Sequence, residues 1–307
     1  MDNQTAELIN LGASDLRVSQ LGVGTNSWGR SRSADGGEQA VFEACLKAKI
    51  NFFDTAEIYN GGRSERTLGR LIQTAGAEVV VATKFLPYPW RLRKSSLSAA
   101  LRASLGRLGL PRVDLYMLHF PFPPVPLETW VEALGDVKET GLAQAVGVSN
   151  CSPAQTRRAH ALLARRGIPL ASNQVEFSLL QPRAERNSLL ATCRELGVTL
   201  VAYRPLGYGL LTGKYSSENP PAYLRGRVYS RAYLQRITPL LDLLREVARG
   251  RGKTPSQVAL NWIICKGALP IPGAKSPRQA AENAAALGWR LDSGEVEALD
   301  KAVQAAI

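Results

Sequence analysis

The chain has 307 residues, of which 45% are hydrophobic, and a formal net charge of +12 at pH 7. This length suits one α/β barrel with insertions, and the apolar content is ample for a large core. No segment approaches the roughly 18 uninterrupted apolar residues of a membrane-spanning helix, so we expect no membrane partner. The basic residues are spread along the chain, and no run of five or six occurs. The densest groups, at 91–94 and 156–166, lie at helix starts or at helical spacing. This pattern argues against a nucleic-acid partner.

Two further features limit the class of protein. The first residues, MDNQTAELIN, are acidic and polar, unlike a secretory signal. The cysteines Cys45, Cys151, Cys193 and Cys265 are scattered, with no CxxC pair and no histidine cluster beside them. We therefore expect reduced thiols, a cytoplasmic protein and no metal site.

In chain order, the sequence predicts eight short strands rich in Val, Ile and Leu. Their apolar runs are continuous rather than alternating, as in a parallel sheet buried on both faces. The predicted strands cover 20–25, 50–53, 79–83, 113–119, 144–149, 170–176, 198–203 and 268–273.

Amphipathic helical patterns lie between or after these strands, at 37–49, 64–75, 95–108, 127–140, 153–166, 183–196, 256–266 and 277–287. Several begin at a capping residue or proline, and several end at a glycine. Additional segments predict a hairpin across the barrel floor (8–18), a long Gly/Pro/Tyr-rich loop (207–236) and added helices at 239–250 and 293–304. The predicted fold class is α/β: a (β/α)8 TIM barrel with an N-terminal β-hairpin and extra C-terminal helices, in a single domain over residues 1–307.

A doubly wound sheet is the competing architecture. It would carry a GxGxxG fingerprint after the first strand, with an acidic residue about 20 positions further on. The chain has GVGTNSWG there, with the wrong spacing and a tryptophan inside. This pattern argues against a doubly wound dinucleotide-binding fold.

Four polar residues stand at or just after the ends of predicted neighbouring strands, where a barrel collects its chemistry. They are Asp54, Tyr59, Lys84 and His119. Singly, each has a structural explanation, such as a helix cap for Asp54 or a packed core residue for His119. Together they form a coherent catalytic hypothesis.

The chemistry of that hypothesis begins with a tyrosine, whose pKa of about 10 makes it a reluctant acid at neutral pH. A nearby ammonium at Lys84 lowers the pKa of Tyr59, and a buried carboxylate at Asp54 keeps Lys84 charged and oriented. Tyr59 would then protonate a carbonyl oxygen, and His119 would position that oxygen by a hydrogen bond.

The chain resembles the aldo-keto reductases over nearly its whole length. NFFDTAEIYNGGRSERTLG (51–69) is similar to the first signature of this family, and RASLGRLGLPRVDLYMLH (102–119) to the second. AVGVSN, NQVEFSLL, RPLGYGLLTGKY and IPGAKSPRQAAENAAAL match in order and spacing. The resemblance implies an NADPH-dependent carbonyl reductase on a (β/α)8 barrel, with a tetrad at Asp54, Tyr59, Lys84 and His119. VVVATKFLPYPWR and WIICKGALPIPG further resemble the branch found in photosynthetic organisms and their bacterial relatives.

The resemblance also implies where NADPH/NADP+ would bind. Ser149, Asn150 and Gln174 would contact the carboxamide, and Tyr203 would stack on the nicotinamide. Lys275 and Arg278 lie where a loop opens a helix, and two cations at a helix N-terminus favour NADPH over NADH because of its additional phosphate. The other implied cofactor contacts are Gly24, Thr25, Arg204, Pro205, Leu206, Gly207, Leu211, Lys214, Gly273, Gln279, Glu282 and Asn283.

The sequence departs from the family pattern in two places. Arg204 replaces the usual serine after the stacking aromatic, and it would either bind the pyrophosphate or obstruct the usual loop path. After His119, the loop FPFPPVP (120–126) replaces the common aspartate-bearing turn. With Trp28, Trp90 and Phe120, this loop predicts an apolar substrate mouth that favours aromatic or medium-sized aliphatic aldehydes.

Two other functions remain open at this stage. One is a regulatory, NADP(H)-sensing subunit with little turnover, which the absence of a long N-terminal extension argues against. The other is a nucleic-acid binder, which rests on net charge alone. The leading hypothesis is a small-molecule carbonyl reductase, monomeric or a weak homo-oligomer.

Overall fold

The computed structural model describes residues 7–30, 37–216, 219–220 and 230–306. A two-stranded antiparallel hairpin comes first, with β1 at Leu8–Asn10 and β2 at Arg17–Ser19. Eight parallel strands follow in chain order around one sheet. They are β3 Val23–Gly24, β4 Phe52–Asp54, β5 Val80–Phe85, β6 Val113–Leu118, β7 Ala143–Ser149, β8 Leu170–Glu176, β9 Thr199–Tyr203 and β10 Leu269–Pro270.

The sheet closes on itself at the seam between its first and last strands. The Gly22 amide donates to the Pro270 carbonyl (N···O 3.0 Å), and the Gly24 amide donates to the Pro272 carbonyl (3.2 Å). The backbone approaches closely here, since a Cβ on Gly22 would lie 2.5 Å from the ring of Phe52. These contacts and the strand order confirm the predicted (β/α)8 barrel.

Helices separate the strands and cover the outside of the barrel. They are α1 Glu38–Lys47, α2 Arg63–Ala75, α3 Ser95–Leu108, α4 Leu127–Glu139, α5 Pro153–Ala164, α6 Arg183–Arg186, α7 Leu189–Glu195, α8 Arg231–Gly250, α9 Pro255–Cys265, α10 Pro277–Ala284 and α11 Ser293–Ala306. Ser152 and Thr254 form capping boxes at the starts of α5 and α9, each followed by proline, as the sequence predicts.

Two predicted helices differ from the structure. The helix predicted over 183–196 is divided into α6 and α7, because Ser188 takes a left-handed conformation (φ 64°) that an α-helix cannot continue through. The helix predicted to begin at Pro239 begins instead at Arg231, after the cap Ser230. Its first turns bury Leu234 and Ile237, and this packing accommodates Pro239 inside the helix.

The long loop predicted over 207–236 is likewise shorter than expected. It starts with a 3-10 turn at Gly207–Thr212, and α8 takes up its last residues. Residues 217–218 and 221–229 of this prediction lie outside the described residues.

The core has two layers that follow from the period of two in a strand. Phe52, Leu115 and Met117 point into the barrel, where Leu11 and Val18 of the hairpin segment join them and close its floor. The second layer lies between the sheet and the helices. No helix among residues 7–30, 37–216, 219–220 and 230–306 combines the length and the apolar character that a membrane crossing needs.

Candidate active site

Asp54 and Lys84 meet inside the barrel because of strand alternation. Each lies two positions after an inward apolar residue, Phe52 on β4 and Ala82 on β5, so both side chains share the interior face. Both are buried, and Lys84 Nζ lies 2.7 Å from Asp54 Oδ2. The same ammonium also donates to the Thr55 carbonyl at 2.7 Å. A buried charge needs such partners, and here the two opposite charges and the Thr55 carbonyl provide them.

Tyr59 follows β4 on a short 3-10 turn, Tyr59–Gly62, that places its hydroxyl against Lys84. Lys84 Nζ donates to the hydroxyl oxygen of Tyr59 at 3.3 Å, the third acceptor of the ammonium. Tyr59 is thus the acceptor in this bond. The hydroxyl hydrogen of Tyr59 has no acceptor among the described side chains and backbone, so it remains available for donation.

The pKa of Tyr59 differs from the expectation in its net direction. Burial raises the pKa of the phenol, the ammonium of Lys84 lowers it, and the carboxylate of Asp54 adds to the rise, so that the pKa ends above its usual value of 10.0. The expected effect of Lys84 is present, but desolvation outweighs it. Burial lowers the pKa of Lys84 itself, and the charge of Asp54 with the bond to Tyr59 more than compensates.

His119 directly follows β6 and lies next to this group. Its ring meets the ring of Tyr59 edge to face, with centroids 5.9 Å apart. Burial and then the positive charge of Lys84 lower the pKa of His119 to about 3, so the imidazole is neutral at physiological pH. Its buried Nδ1 has no hydrogen-bond partner among the described residues.

The residues predicted to hold a carboxamide form one connected network. Gln174 Nε2 donates to Asp54 Oδ1 at 2.7 Å, and the Ser149 hydroxyl donates to the Gln174 carbonyl at 2.7 Å. Asn150 Nδ2 donates to Ser149 Oγ, and the Tyr203 hydroxyl donates to Asn150 Oδ1, both at 3.0 Å. Asp54 therefore has both oxygens bonded, and this link between the catalytic and cofactor groups is one that the sequence did not predict.

The predicted phosphate site lies at the start of α10. The Ser276 hydroxyl accepts from the Gln279 amide, and the Gln279 side chain accepts from the Lys275 amide at 2.8 Å. The side chains of Lys275 and Arg278 are exposed and form no ion pair with any residue that the structure describes. Free cations at a helix N-terminus, whose amides carry positive partial charge, suit a phosphate group.

The other predicted residues near α10 have structural contacts. Glu282 Oε1 accepts from the Thr254 hydroxyl at 3.1 Å, which ties α10 to α9. Asn283 is buried, and its Nδ2 donates to the Gly273 carbonyl at 3.4 Å. Gly273 lies at the barrel seam, where a Cβ would stand 3.6 Å from the Gly24 carbonyl.

The loop after β9 contains the unusual Arg204, in a left-handed conformation (φ 52°). Its guanidinium forms an ion pair with Glu176 at 3.2 Å and lies over the rings of Tyr203 and Tyr208, 5.5 and 4.4 Å from their centroids. Lys214, further along, is exposed. Pro205, Gly207 and Leu211 are buried and Leu206 is half-buried, so this part of the loop packs on the core.

Gly24 and Thr25 lie at the end of β3. The Thr25 hydroxyl bonds with the Ser64 hydroxyl and the Asp54 carbonyl, and its amide donates to that same carbonyl. The Thr25 carbonyl accepts from the Ser64 hydroxyl, so all polar groups of Thr25 are used within the protein and a cofactor contact here would involve its methyl group.

Phe120 and Trp90 have different positions at the predicted substrate mouth. Phe120 stacks on His119 (centroids 5.0 Å apart) and on Phe122 (4.7 Å), which continues outward to an exposed ring. Trp90 is 72% exposed and stacks on Tyr88. The loops after β5 and β6 both contribute aromatic rings at this end of the barrel.

Trp28, the third predicted pocket residue, is buried and packs on Phe53 within the outer core layer. It also lines a cavity of about 250 Å³ whose wall includes Arg30 and Lys275. Trp28 thus has a packing position, and its role in a substrate pocket stays a prediction.

A partly buried ion pair near the site has no counterpart in the sequence predictions. Glu57, in the segment between Asp54 and Tyr59, is bonded by Arg91 through two nitrogens and by the Leu86 amide at 2.7 Å. Nothing in a single sequence marks residues 34 positions apart as partners.

The cysteines and the described acidic residues show no metal site and no reactive buried thiol. Burial raises the pKa of the Cys45, Cys151 and Cys193 thiols to about 12, so these groups are unreactive at neutral pH. Within the described ranges, no group of three His, Cys, Asp or Glu side chains is placed to hold a metal ion.

Comparison with known proteins agrees with this fold. Residues 20–304 match the model of the aldo/keto reductase family. The pyridoxal reductase of Arabidopsis thaliana chloroplasts is 44% identical, over 94% of this chain and 84% of that protein. The aldo-keto reductase yakc of Schizosaccharomyces pombe, whose name includes NADP(+), is 31% identical over 88% of this chain and 83% of the yeast protein. The glycerol dehydrogenase AKR11B4 of Gluconobacter oxydans superposes with a TM-score of 0.87 at 25% identity, covering 98% of this chain and 96% of its own.

The chain belongs to the aldo/keto reductase family, as the sequence resemblance predicts. It is an oxidoreductase of a family that acts on carbonyl compounds and uses nicotinamide cofactors. The similarity to a chloroplast protein accords with the predicted branch.

Proposed function

We propose that this protein reduces aldehydes and ketones to alcohols with NADPH, and that Tyr59 is the general acid. One observation carries the proposal. Lys84 Nζ contacts Asp54 Oδ2 at 2.7 Å and the Tyr59 oxygen at 3.3 Å at the same time. Because Lys84 donates to the tyrosine, the tyrosine's own hydrogen is directed elsewhere, as an acid requires.

The electrostatics of the pair suit proton donation. Burial keeps the pKa of Tyr59 high, so the phenol is protonated before reaction. As the carbonyl oxygen takes the proton, negative charge develops on the tyrosine oxygen 3.3 Å from the ammonium of Lys84. An interaction that strengthens as the reaction proceeds lowers the barrier rather than only binding the substrate.

We assign His119 the task of orienting the substrate. With a pKa of about 3, it is neutral and cannot compete with Tyr59 as a proton donor at physiological pH. Its buried Nδ1 has no acceptor, so we place the ring hydrogen on Nε2, where it can donate to the carbonyl oxygen.

The residues present fit NADP(H). Ser149, Asn150 and Gln174 supply amide and hydroxyl groups for a carboxamide, and the exposed Lys275 and Arg278 supply cations at the start of α10. When bound, the cofactor supplies the hydride. The preference for NADPH over NADH rests on these two cations, which a 2′-phosphate would neutralise.

The aromatic rings at the mouth favour flat aldehydes as substrates. Phe120 stacks on His119 and Phe122 stacks on Phe120, with ring planes 15° and 1° apart, so the three rings form a stack that leads outward from the site. Pyridoxal is such an aldehyde, and it is the compound in the name of the plant relative. We therefore propose aromatic aldehydes, pyridoxal among them, ahead of aliphatic ones. A single domain over residues 1–307, a cytoplasmic location and a monomeric or weakly associating state also belong to this proposal.

The test is NADPH oxidation by wild type and Tyr59→Phe with pyridoxal, benzaldehyde and butanal. We expect wild-type turnover, and a loss of kcat of about 10²- to 10⁴-fold in the variant. NADPH affinity, measured by fluorescence, should be unchanged because the phenylalanine keeps the ring. Tyr203→Phe is the matched control, because it removes a hydroxyl that bonds Asn150 rather than Lys84.

The outcomes separate the alternatives. Tight NADPH binding without turnover on any aldehyde would contradict the reductase and favour a cofactor-sensing subunit. Turnover that survives in Tyr59→Phe would contradict only the role of Tyr59 as the acid and would leave the reductase activity standing.

A further inference from the structure

Besides the ion pair of Asp54 with Lys84, a separate ion pair attaches the segment that carries Tyr59 to the loop after β5. Glu57 accepts two hydrogen bonds from Arg91, one of them 3.0 Å from Nη2 to Oε2. The Glu57 carboxylate also accepts from the Leu86 amide at 2.7 Å. The exposed fractions of the two charged side chains are only 8% and 21%. These hydrogen bonds are therefore partly shielded from solvent, unlike those of most ion pairs on the surface.

Arg91 is itself fixed from several sides. Its Nη1 donates to the Leu86 carbonyl at 2.7 Å, and its amide donates to the Tyr88 carbonyl at 2.8 Å. The guanidinium lies over the rings of Phe85 and Tyr88, with centroids 4.9 and 5.1 Å away. The loop after β5, which begins two residues after Lys84, thus folds around Arg91, and Glu57 is the partner that connects it to the neighbouring segment.

The chain positions of these groups give the pair its consequence. Glu57 lies two residues before Tyr59, and the ring of Phe85 under Arg91 directly follows Lys84. The contact from Lys84 to Tyr59 is 3.3 Å, longer than the 2.7 Å contact from Lys84 to Asp54. A contact of that length depends on how the two segments are held, whereas Asp54 and Lys84 are fixed by the sheet.

We propose that Glu57 and Arg91 are positioning residues, which hold the Tyr59 segment against the Lys84 strand and so set the distance between the tyrosine hydroxyl and the ammonium. Neither residue belongs to the predicted tetrad. The role rests on the proposed function for its effect on turnover, but the distance that it sets is a property of the protein alone.

The pair is tested with Glu57→Gln, Arg91→Met and the double variant. Glutamine still accepts from the Leu86 amide but cannot hold a charged pair, and methionine keeps an apolar stem over Phe85. We expect each single variant to lose about tenfold or more in kcat, because small misplacements of reacting groups are costly. KM for benzaldehyde and the Kd for NADPH should stay within about twofold of wild type. The double variant should be no slower than the slower single variant, since the pair acts as a unit.

A second measurement is independent of turnover. The 13Cζ resonance of Tyr59, assigned by its loss in Tyr59→Phe, reports the hydrogen bond that its oxygen accepts. We expect it to shift in both single variants at neutral pH. The controls are Arg157→Met and Glu195→Gln. Each breaks an exposed ion pair with two hydrogen bonds on the outer helices, and each should leave the resonance and kcat unchanged.

Several results would overturn the proposal. One is an unchanged Tyr59 resonance in folded Glu57→Gln, and another is an increase in KM with kcat unchanged, which would show that the pair only supports the substrate loop. If Glu57→Gln does not fold, Arg91→Lys gives the same test, because lysine keeps the charge but cannot make two parallel bonds. A wild type without turnover would contradict the proposed function, whereas the resonance would still decide whether Glu57 and Arg91 position Tyr59.

Discussion

Two charged regions of the molecule differ in burial and in pairing. At the ends of β4 and β5, Asp54 and Lys84 are buried and form hydrogen bonds with one another and with neighbouring groups. At the start of α10, Lys275 and Arg278 are exposed and have no ion-pair partner among the described residues.

The difference follows from solvation. A charge inside the barrel loses its hydration, so it must be paired in the folded protein, and the geometry is then fixed before any ligand arrives. A charge on the rim keeps its hydration and can exchange water for phosphate at little cost. The first region is therefore suited to catalysis by preorganised groups, and the second to reversible binding of an anion.

The largest expected effect is in the buried region, from Lys84→Met. This change leaves Asp54 buried with its charge partner removed, and we expect a loss of about 3–5 kcal/mol in the free energy of unfolding. The double variant Asp54→Asn with Lys84→Met removes both charges and should recover much of that loss, with no recovery of turnover. Urea unfolding at neutral pH measures both, and an unchanged stability of Lys84→Met would contradict the idea of a mutually dependent pair.

In the exposed region, Lys275→Ala with Arg278→Ala should affect binding and leave stability nearly unchanged. Each charged hydrogen bond to phosphate contributes about 1.5–3 kcal/mol, so the Kd for NADPH should rise by at least about tenfold. The Kd for NADH should change little, because it lacks the 2′-phosphate. Fluorescence titration with both cofactors tests this, and equal losses for NADPH and NADH would place the phosphate site elsewhere.

The pH dependence of stability sharpens the comparison at His119. Its folded pKa of about 3 lies below its ordinary value of 6.5, so between these values the unfolded chain binds a proton that the folded protein does not. Stability from this group is therefore complete above about pH 6.5 and declines by roughly 1.4 kcal/mol for each pH unit between that value and about pH 3. In His119→Gln, the free energy of unfolding should fall less between pH 7 and pH 5, by the contribution of about one proton taken up on unfolding. Urea unfolding at the two pH values measures this difference. An identical slope in the variant would mean that His119 binds protons equally in the folded and unfolded states, so that folding does not lower its pKa.

The smallest effect is expected for Arg204→Ser. The ion pair of Arg204 with Glu176 is partly exposed, so its loss should cost less than about 1 kcal/mol in the free energy of unfolding. The Kd for NADPH distinguishes the two roles proposed from the sequence: it rises if Arg204 binds pyrophosphate and falls if Arg204 obstructs the loop. Glu176→Gln is the control, since it frees Arg204 without removing it.

The sequence by itself determined the barrel and its main chemical groups. Continuous apolar strands alternating with capped helices have few other arrangements, and the eight predicted strands match the observed ones closely. Asp54 and Lys84 could be predicted at strand ends because inward and outward positions alternate with a period of two. Helix boundaries were less certain, as the break at Ser188 and the position of Pro239 inside α8 show, because packing decided them.

Only the tertiary structure decided which distant groups bond. Gln174 meets Asp54 across 120 positions of sequence, and Arg91 meets Glu57 across 34. The direction of the pKa shift of Tyr59 also depended on burial, which raises the pKa more than the nearby ammonium lowers it. Local patterns fix secondary structure because they act through neighbours along the chain, whereas hydrogen bonding and desolvation depend on the side chains that the closed barrel brings together.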